Sequence, residues 1–289
     1  MRWYANVREA GHGDTTVVLA HGYGASQALW DKLVPALSHR NKVLLFDWDF
    51  AGGGGGAGQQ EAGEGRYTFG RFADDLIALM DDKRVRGAVL VGHSMSAMAG
   101  CIASVRRPDL FSHLVLLCAS PRYVNSEEES YVGGFDKAGI DGMLDAMSSD
   151  YDAWAKGFVP NAAGDPDCVP PLEKSFHAMR PAVALELARM IFLGDQREVL
   201  DAVTAPCTIV QVKADFVAPP SVAEYMRSRM KGAAVAVEII DSVGHFPQLV
   251  APQQLLDVLD GVLVRHGEDG HGVEQAADVE VDGGTDITA

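Results

Sequence analysis

Ser94 lies in Val89-Leu90-Val91-Gly92-His93-Ser94-Met95-Ser96-Ala97, a short apolar run that enters a Gly-x-Ser turn and leaves as a helix-forming segment. A serine hydroxyl is a weak nucleophile until a base takes its proton, and this strand, turn and helix context is that of a nucleophile elbow, which exposes Oγ at a helix N-terminus. There the Met95 N–H can face the oxyanion that develops when a carbonyl is attacked. Position 96 departs from the Gly-x-Ser-x-Gly pattern. His21-Gly22-Tyr23-Gly24 follows another apolar run and is the type of loop that supplies a second donor, here the Tyr23 N–H. Two donors matter because removing one typically costs about 3 kcal/mol of barrier.

A base and a group to orient it are also present. Asp215 follows the apolar run Thr208 to Val212, and His245 follows Val235 to Ile240 within Gly244-His245-Phe246-Pro247. The imidazole can accept the serine proton, while the carboxylate fixes its tautomer and stabilises the imidazolium. Asp47, Asp49 and Asp241 compete for the last role. Asp47 and Asp49 precede the nucleophile and Asp241 is too near His245 in the chain, so Asp215 is preferred, giving the order Ser, Asp, His of an α/β-hydrolase. No His, Cys, Asp or Glu cluster has metal-ligand spacing, and neither a metal nor a cofactor is expected.

These residues need strands that end at one edge. Thr16 to Ala20, Val43 to Phe46, Ala88 to Val91, Leu114 to Cys118, Thr208 to Val212 and Val235 to Ile240 have the short apolar pattern of buried strands. Their alternation with helical periodicity predicts a mostly parallel sheet with helices on both faces. Phe72, Leu76, Leu79 and Met80 mark one helix face, and Leu255, Leu256, Leu259, Val262 and Leu263 mark the last one. Roughly 85 residues separate the strand near Ala119 from the one near Cys207, far more than a crossover requires. Helical patches at Ile140 to Met147, Tyr151 to Phe158, Leu172 to Met179 and Ala182 to Phe192, punctuated at Pro160, Pro166, Pro170, Pro171 and Pro181, predict an inserted four-helix lid. The expected organisation is a hydrolase core over 1–120 and 201–265, the lid over 121–200 and a disordered tail over 266–289. That tail holds seven acids and no Lys or Arg. The glycine-rich run Ala51 to Gly65 reads as a flexible loop, and it lacks the Lys-Ser or Lys-Thr of a phosphate-binding loop.

Composition narrows the partners. A net charge of −16 repels phosphate backbones and anionic membrane surfaces, so neither nucleic acid nor membrane is an expected partner. The longest apolar stretches are far below a membrane span. Cys101, Cys118, Cys168 and Cys207 form no Cys-x-x-Cys pair and read as buried thiols of a reducing compartment. With no secretory signal in Met1 to Val7, the expected location is cytoplasmic and nuclear.

Further motifs sharpen the reading: Gly92-His93-Ser94-Met95-Ser96-Ala97-Met98, Arg107-Pro108-Asp109-Leu110-Phe111, Ser120-Pro121-Arg122-Tyr123, Gly133-Gly134-Phe135 and Gly244-His245-Phe246-Pro247-Gln248. Together they resemble the strigolactone and karrikin receptor family of plant α/β-hydrolases over about residues 6–264. Asp74 to Asp82 and Met95 look most like its "dwarf-fourteen-like two" branch. The resemblance implies a V-shaped helical lid above a pocket in which a serine slowly hydrolyses a butenolide, coupled to signalling through an F-box protein and its repressor targets docked on the lid. It places Tyr23, Met95, Tyr123, Phe135, Trp154, Phe158, Phe192, Phe216 and Val217 around that pocket, although Trp154, Phe158 and Phe192 read equally well as packing within the lid. Three departures are expected to reshape or shrink it: Tyr23 in place of phenylalanine, bulky Phe216 and Val217, and added residues at Ser126 to Ser130. The alternatives are a plain carboxylesterase or a binding module that signals without turnover.

Ser94→Ala is expected to remove nearly all hydrolysis of a chromogenic ester, by about 10⁶ in rate, with His245→Ala equally damaging and Asp215→Ala less so. Unchanged turnover by Ser94→Ala would sink the assignment.

Overall fold

The computed structural model describes residues 3–50 and 67–272, with side chains to Val264. The expectations for Ala51 to Gly65 and for residues 273–289 lie outside the described residues.

Seven strands form one sheet: β1 (Tyr4–Ala10), β2 (Thr16–Ala20), β3 (Lys42–Trp48), β4 (Ala88–His93), β5 (Phe111–Leu117), β6 (Cys207–Ala214) and β7 (Val235–Val243), in the order β1-β3-β2-β4-β5-β6-β7. All pair in parallel except β1, which runs antiparallel to β3 at the edge. The six apolar runs read from the sequence lie on β2 to β7. β1 escaped because Tyr4–Ala10 is only half-buried and carries Arg8 and Glu9, so its residues do not form an apolar run.

Alternation along the strands divides the core in two. Val17, Leu19, Val43, Leu45, Val89, Val91, Val115 and Leu117 face one side, where they meet Leu255, Leu259 and Val262 of the last helix. Val18, Leu44, Phe46, Leu90, Leu114 and Leu116 face the other, against Phe72, Leu76, Leu79 and Met80. Each face therefore buries apolar side chains beneath helices. The helices of the core are α1 (Val34–Leu37), α2 (Phe69–Asp82) and α3 (Met95–Arg106); those of the inserted segment are α4 (Lys137–Ser149), α5 (Tyr151–Ala163), α6 (Val169–His177) and α7 (Pro181–Leu193). The chain then returns to the core as α8 (Ser221–Arg229), α9 (Pro247–Val250) and α10 (Pro252–Gly272). Among the described residues no helix is long and apolar enough to cross a membrane.

Two boundaries differ from the sequence reading. Pro160 does not end its helix but sits inside α5, three residues before its end. A proline removes only its own N–H bond, and this one is spent in the final turn before Gly164 closes the helix in the left-handed region. α10 also continues through residues 266–272, where the tail was expected to begin. Once a helix is nucleated, each further residue gains a hydrogen bond, so the backbone can run past its last core contact.

The inserted segment is tied at both ends. At its base the Gln196 N–H donates to Pro121 O at 2.7 Å, and Arg122 bridges Asp195. At its far side α5 meets the loop after β7. The His245 N–H donates to Ala162 O at 2.7 Å, and Gly164 and Gly244 touch backbone to backbone, both at positive φ. A Cβ at Gly244 would lie 2.3 Å from Ala163 O, a clash with rigid main chain. Gly244→Ala is therefore expected to cost about 2 kcal/mol or more, combining the left-handed penalty with forced displacement of α5, and to lower ester turnover with it. A melting temperature unchanged by this substitution would show that the contact is loose.

Candidate active site

Ser94 connects β4 to α3 with φ +55° and ψ −118°. Few non-glycine residues occupy that region, and an outlier of this kind stores of order 1–3 kcal/mol of strain. The surrounding hydrogen bonds hold it there: Ser94 N–H donates to Leu117 O at 2.9 Å, and Ala97 N–H to Ser94 O at 3.0 Å. Oγ consequently faces a cavity at the carboxyl ends of the strands, where the lid covers the sheet.

Asp215 and His245 arrive from the loops after β6 and β7. His245 Nδ1 lies 2.8 Å from Asp215 Oδ2, with both side chains almost fully buried. The second carboxylate oxygen accepts the Val217 N–H at 2.7 Å. Asp215 is thus the acid on the imidazole. Asp47 is instead occupied by Gln27 and Asn6, and Asp241 pairs with Lys213 near solvent. His245 and Ser94 line the same cavity. Among the described residues no hydrogen bond joins Ser94 Oγ to His245; its neighbour is the Tyr123 hydroxyl at 3.5 Å. Catalytic contacts of this kind commonly tighten when substrate binds.

The loop with the second candidate donor lies against the elbow. A Cβ at Gly22 would be 3.1 Å from Ser94 Cβ, so only the bare backbone fits. Among the described residues neither the Tyr23 nor the Met95 N–H has an acceptor, which leaves both free for an oxyanion.

Residue 96, which broke the motif, has a role that spacing did not reveal. Its hydroxyl donates to His21 O at 2.5 Å and accepts Trp48 Nε1–H at 2.8 Å, while the same indole N–H also lies 3.1 Å from His21 O. His21 Nε2 in turn accepts the Trp48 N–H at 3.0 Å. Trp48 and Ser96 therefore clamp the peptide just ahead of Tyr23. A glycine at 96 could not reach across.

Of the residues proposed for the pocket, Tyr23, Tyr123, Phe158, Phe192 and Val217 line the cavity with Ser94 and His245. Four do not. Met95 is buried in the first turn of α3, Phe135 packs on Phe192 and Phe216, and Trp154 stacks behind Phe158 at 4.9 Å. Phe216 is 51% exposed, because the Asp215 loop turns its ring outward onto the edges of Phe135 and Phe158. It does not narrow the site as expected. Nor do Ser126 to Ser130, which form a surface turn closed by Ser126 and Tyr131 and held by Glu129 to Arg197. The walls that went unpredicted are His93, Ala162, Phe176, Ile191 and Phe246.

Burial sets the protonation of the site. It pulls the His93 imidazole well below its ordinary range, with the neighbouring His245 and His21 acting in the same direction, and it lowers His21 as well. Both rings are neutral at pH 7. Burial pushes the Tyr123 phenol up, so it remains a donor. The Cys118 thiol is raised by burial and then by Asp215. Cys118, Asp215 and His245 bring their ligand atoms within 4.8 Å of one another, but the imidazole and carboxylate already bond each other and a metal would have to part them.

Residues 17–258 match the model of the alpha/beta hydrolase family. Karrikin insensitive 2 receptor CA of Petunia hybrida is 41% identical over 265 residues, 90% of this chain and 94% of that protein. Strigolactone esterase RMS3 of Pisum sativum is 39% identical over 258 residues, 88% of this chain and 95% of that one. A hydrolase from Oleispira antarctica shares the fold with a TM-score of 0.75 and 27% identity, over 84% of this chain and 88% of its own.

Two outcomes are expected from this geometry. Ser96→Ala should lower kcat for a chromogenic ester about tenfold with little change in KM, because it loosens a donor rather than deleting one; an unchanged kcat would leave the clamp without a catalytic consequence. Second, a histidine whose folded pKa lies below its unfolded value binds fewer protons folded than unfolded. Stability is then full above about pH 6.5 and is lost as pH falls below it, by up to about 1.4 kcal/mol per pH unit for each such ring. Melting temperature should fall between pH 6.5 and 5, and His93→Gln should flatten the slope.

Proposed function

The chain belongs to the alpha/beta hydrolase family, with the strigolactone and karrikin receptors and esterases among its members, and from that premise we propose that it is a serine hydrolase that binds and slowly hydrolyses butenolide-type signalling molecules. The observation that carries the reading is Ser94, held at φ +55° and opening into an apolar cavity that it shares with His245, whose Nδ1 Asp215 holds from behind.

In the proposed reaction Ser94 Oγ attacks the carbonyl carbon of an ester or lactone, and its proton passes to His245 Nε2. The Tyr23 and Met95 N–H groups donate to the developing oxyanion. Asp215 holds Nδ1–H and stabilises the imidazolium. His245 then returns the proton to the departing alkoxide or enolate oxygen. Water, deprotonated by the same imidazole, cleaves the acyl-serine and restores the hydroxyl. The Tyr123 hydroxyl, 3.5 Å from Oγ, is placed to donate to the leaving oxygen or to a ring oxygen of the ligand.

Signalling through an F-box protein and repressor targets on the lid, in the cytoplasm and nucleus, extends the proposal. The lid's tether to the catalytic histidine supports it, since a ligand on Ser94 and His245 would bear on α5 through the Ala162 contact. A ligand can bias such a contact only by binding one arrangement better, commonly by about 1–3 kcal/mol. The test is to incubate pure protein with strigolactone stereoisomers and follow products by mass and stability by melting temperature. A receptor is expected to release the butenolide ring slowly and to melt at a lower temperature as its lid loosens. Turnover without any change in melting temperature favours a plain carboxylesterase, and absence of both would refute the reading.

A further inference from the structure

His93 stands just ahead of Ser94, and its side chain takes no part in the proton transfers above. It ends β4, is 1% exposed and pairs across the sheet with Leu117. The strands run in the order β4-β5-β6-β7, so β5 and β6 separate the elbow from the loop that carries His245. The His93 imidazole bridges that gap. Its Nε2 lies 2.8 Å from His245 O, and the two rings are 4.9 Å apart between centroids.

A carbonyl oxygen only accepts, so Nε2 carries the proton and donates, and Nδ1 is bare. Among the described residues Nδ1 has no hydrogen-bond partner, and Gly22 closes over it: a Cβ there would fall 2.8 Å away. Phe246 flanks the same ring at 5.1 Å. Charge matters as well, because a cation this close to His245 would oppose the imidazolium that forms when Ser94 loses its proton. Burial pulls the His93 imidazole well below its ordinary range and keeps it neutral. The ring can therefore hold the carbonyl without weakening the base.

The main chain around His245 is gripped at three points. The Gly244 N–H donates to Ala214 O at 2.8 Å, the His245 N–H to Ala162 O of the lid at 2.7 Å, and the His245 carbonyl accepts from His93. Of these three bonds, the last comes from the residue covalently next to the nucleophile, so it refers the position of the base to that of Ser94.

Resting on the hydrolase reading above, we propose that His93 is a positioning residue for the reaction: its Nε2–H holds the His245 carbonyl and so sets the imidazole where it can take the Ser94 proton. It acts through His245 and exchanges no proton itself.

The test compares His93→Met with His93→Gln in the full chain. The two replacements are equally long, but of the two only Gln carries an N–H to offer the carbonyl. With p-nitrophenyl acetate, folded His93→Met should lose about tenfold or more in kcat with KM little changed, since a misplacement of about 1 Å can cost about a hundredfold. His93→Gln should recover most of that loss. A wild-type kcat in His93→Met, or a loss in His93→Gln as deep as in His93→Met, overturns the proposal; so does a change confined to KM, which would make His93 a pocket wall and nothing more. If His93→Met does not fold, His93→Asn takes its place, its amide one methylene too short to reach. A wild type that leaves the ester intact defeats the hydrolase reading but not this one, which is then read from the low-field proton resonance of the His245 Nδ1–H bonded to Asp215. That resonance, assigned by its absence from His245→Ala, should persist in His93→Gln and be shifted or lost in His93→Met. An identical resonance in both variants overturns the proposal.

Discussion

The arrangement depends on one backbone hydrogen bond, from the His245 N–H to Ala162 O at 2.7 Å, formed where Gly164 and Gly244 pass without side chains between them. It joins two segments far apart in the chain. On one side stands the end of α5, and with it the lid; on the other stands the imidazole that must face Ser94. The same residue's Nδ1 lies 2.8 Å from Asp215 Oδ2. The lid is therefore part of the catalytic frame, and the walls it lends to the cavity are held relative to the reacting atoms.

On the core side, positioning relies on polar groups buried without solvent. Such groups are affordable only when paired. Ser96, Trp48 and His21 pair with one another, and His93 Nε2 lies 2.8 Å from His245 O. The strain at Ser94 is sustained because β4, β5 and α3 determine its backbone from three directions. Neutral His21 and His93 follow from the same burial, since a charge on either ring would face an interior with no water to solvate it.

Above the serine the site changes character. Tyr23, Tyr123, Phe158, Phe176 and Phe192 make it a chamber of rings, in which recognition rests on shape and apolar area, with few polar contacts to orient the ligand. Phe176 is confined by Gly24 and Tyr23, whereas Phe216 stands outside, half in solvent.

The chemistry was legible in the sequence because it depends on local pattern. An apolar run ending in Gly-x-Ser, a His-Gly loop after another, and Asp215 and His245 each after a third place reactive groups at strand ends whatever packs around them. Six strands and four lid helices were legible for the same reason, through periods set by backbone geometry. β1 was not, since a half-exposed edge strand with Arg8 and Glu9 leaves no apolar run to find. Tertiary structure alone decided which aromatic residues face the ligand. Phe176 and Phe216 look alike as apolar residues near the site, and periodicity can say that a side chain is buried but not against what. It was the close approach of α6 to Gly24, a contact between segments some 150 residues apart, that put one ring in the cavity wall, and the turn after Asp215 that sent the other outward. The role of Ser96 is of the same kind: its partners Trp48 and His21 belong to other strands, and only the sheet brings the three together.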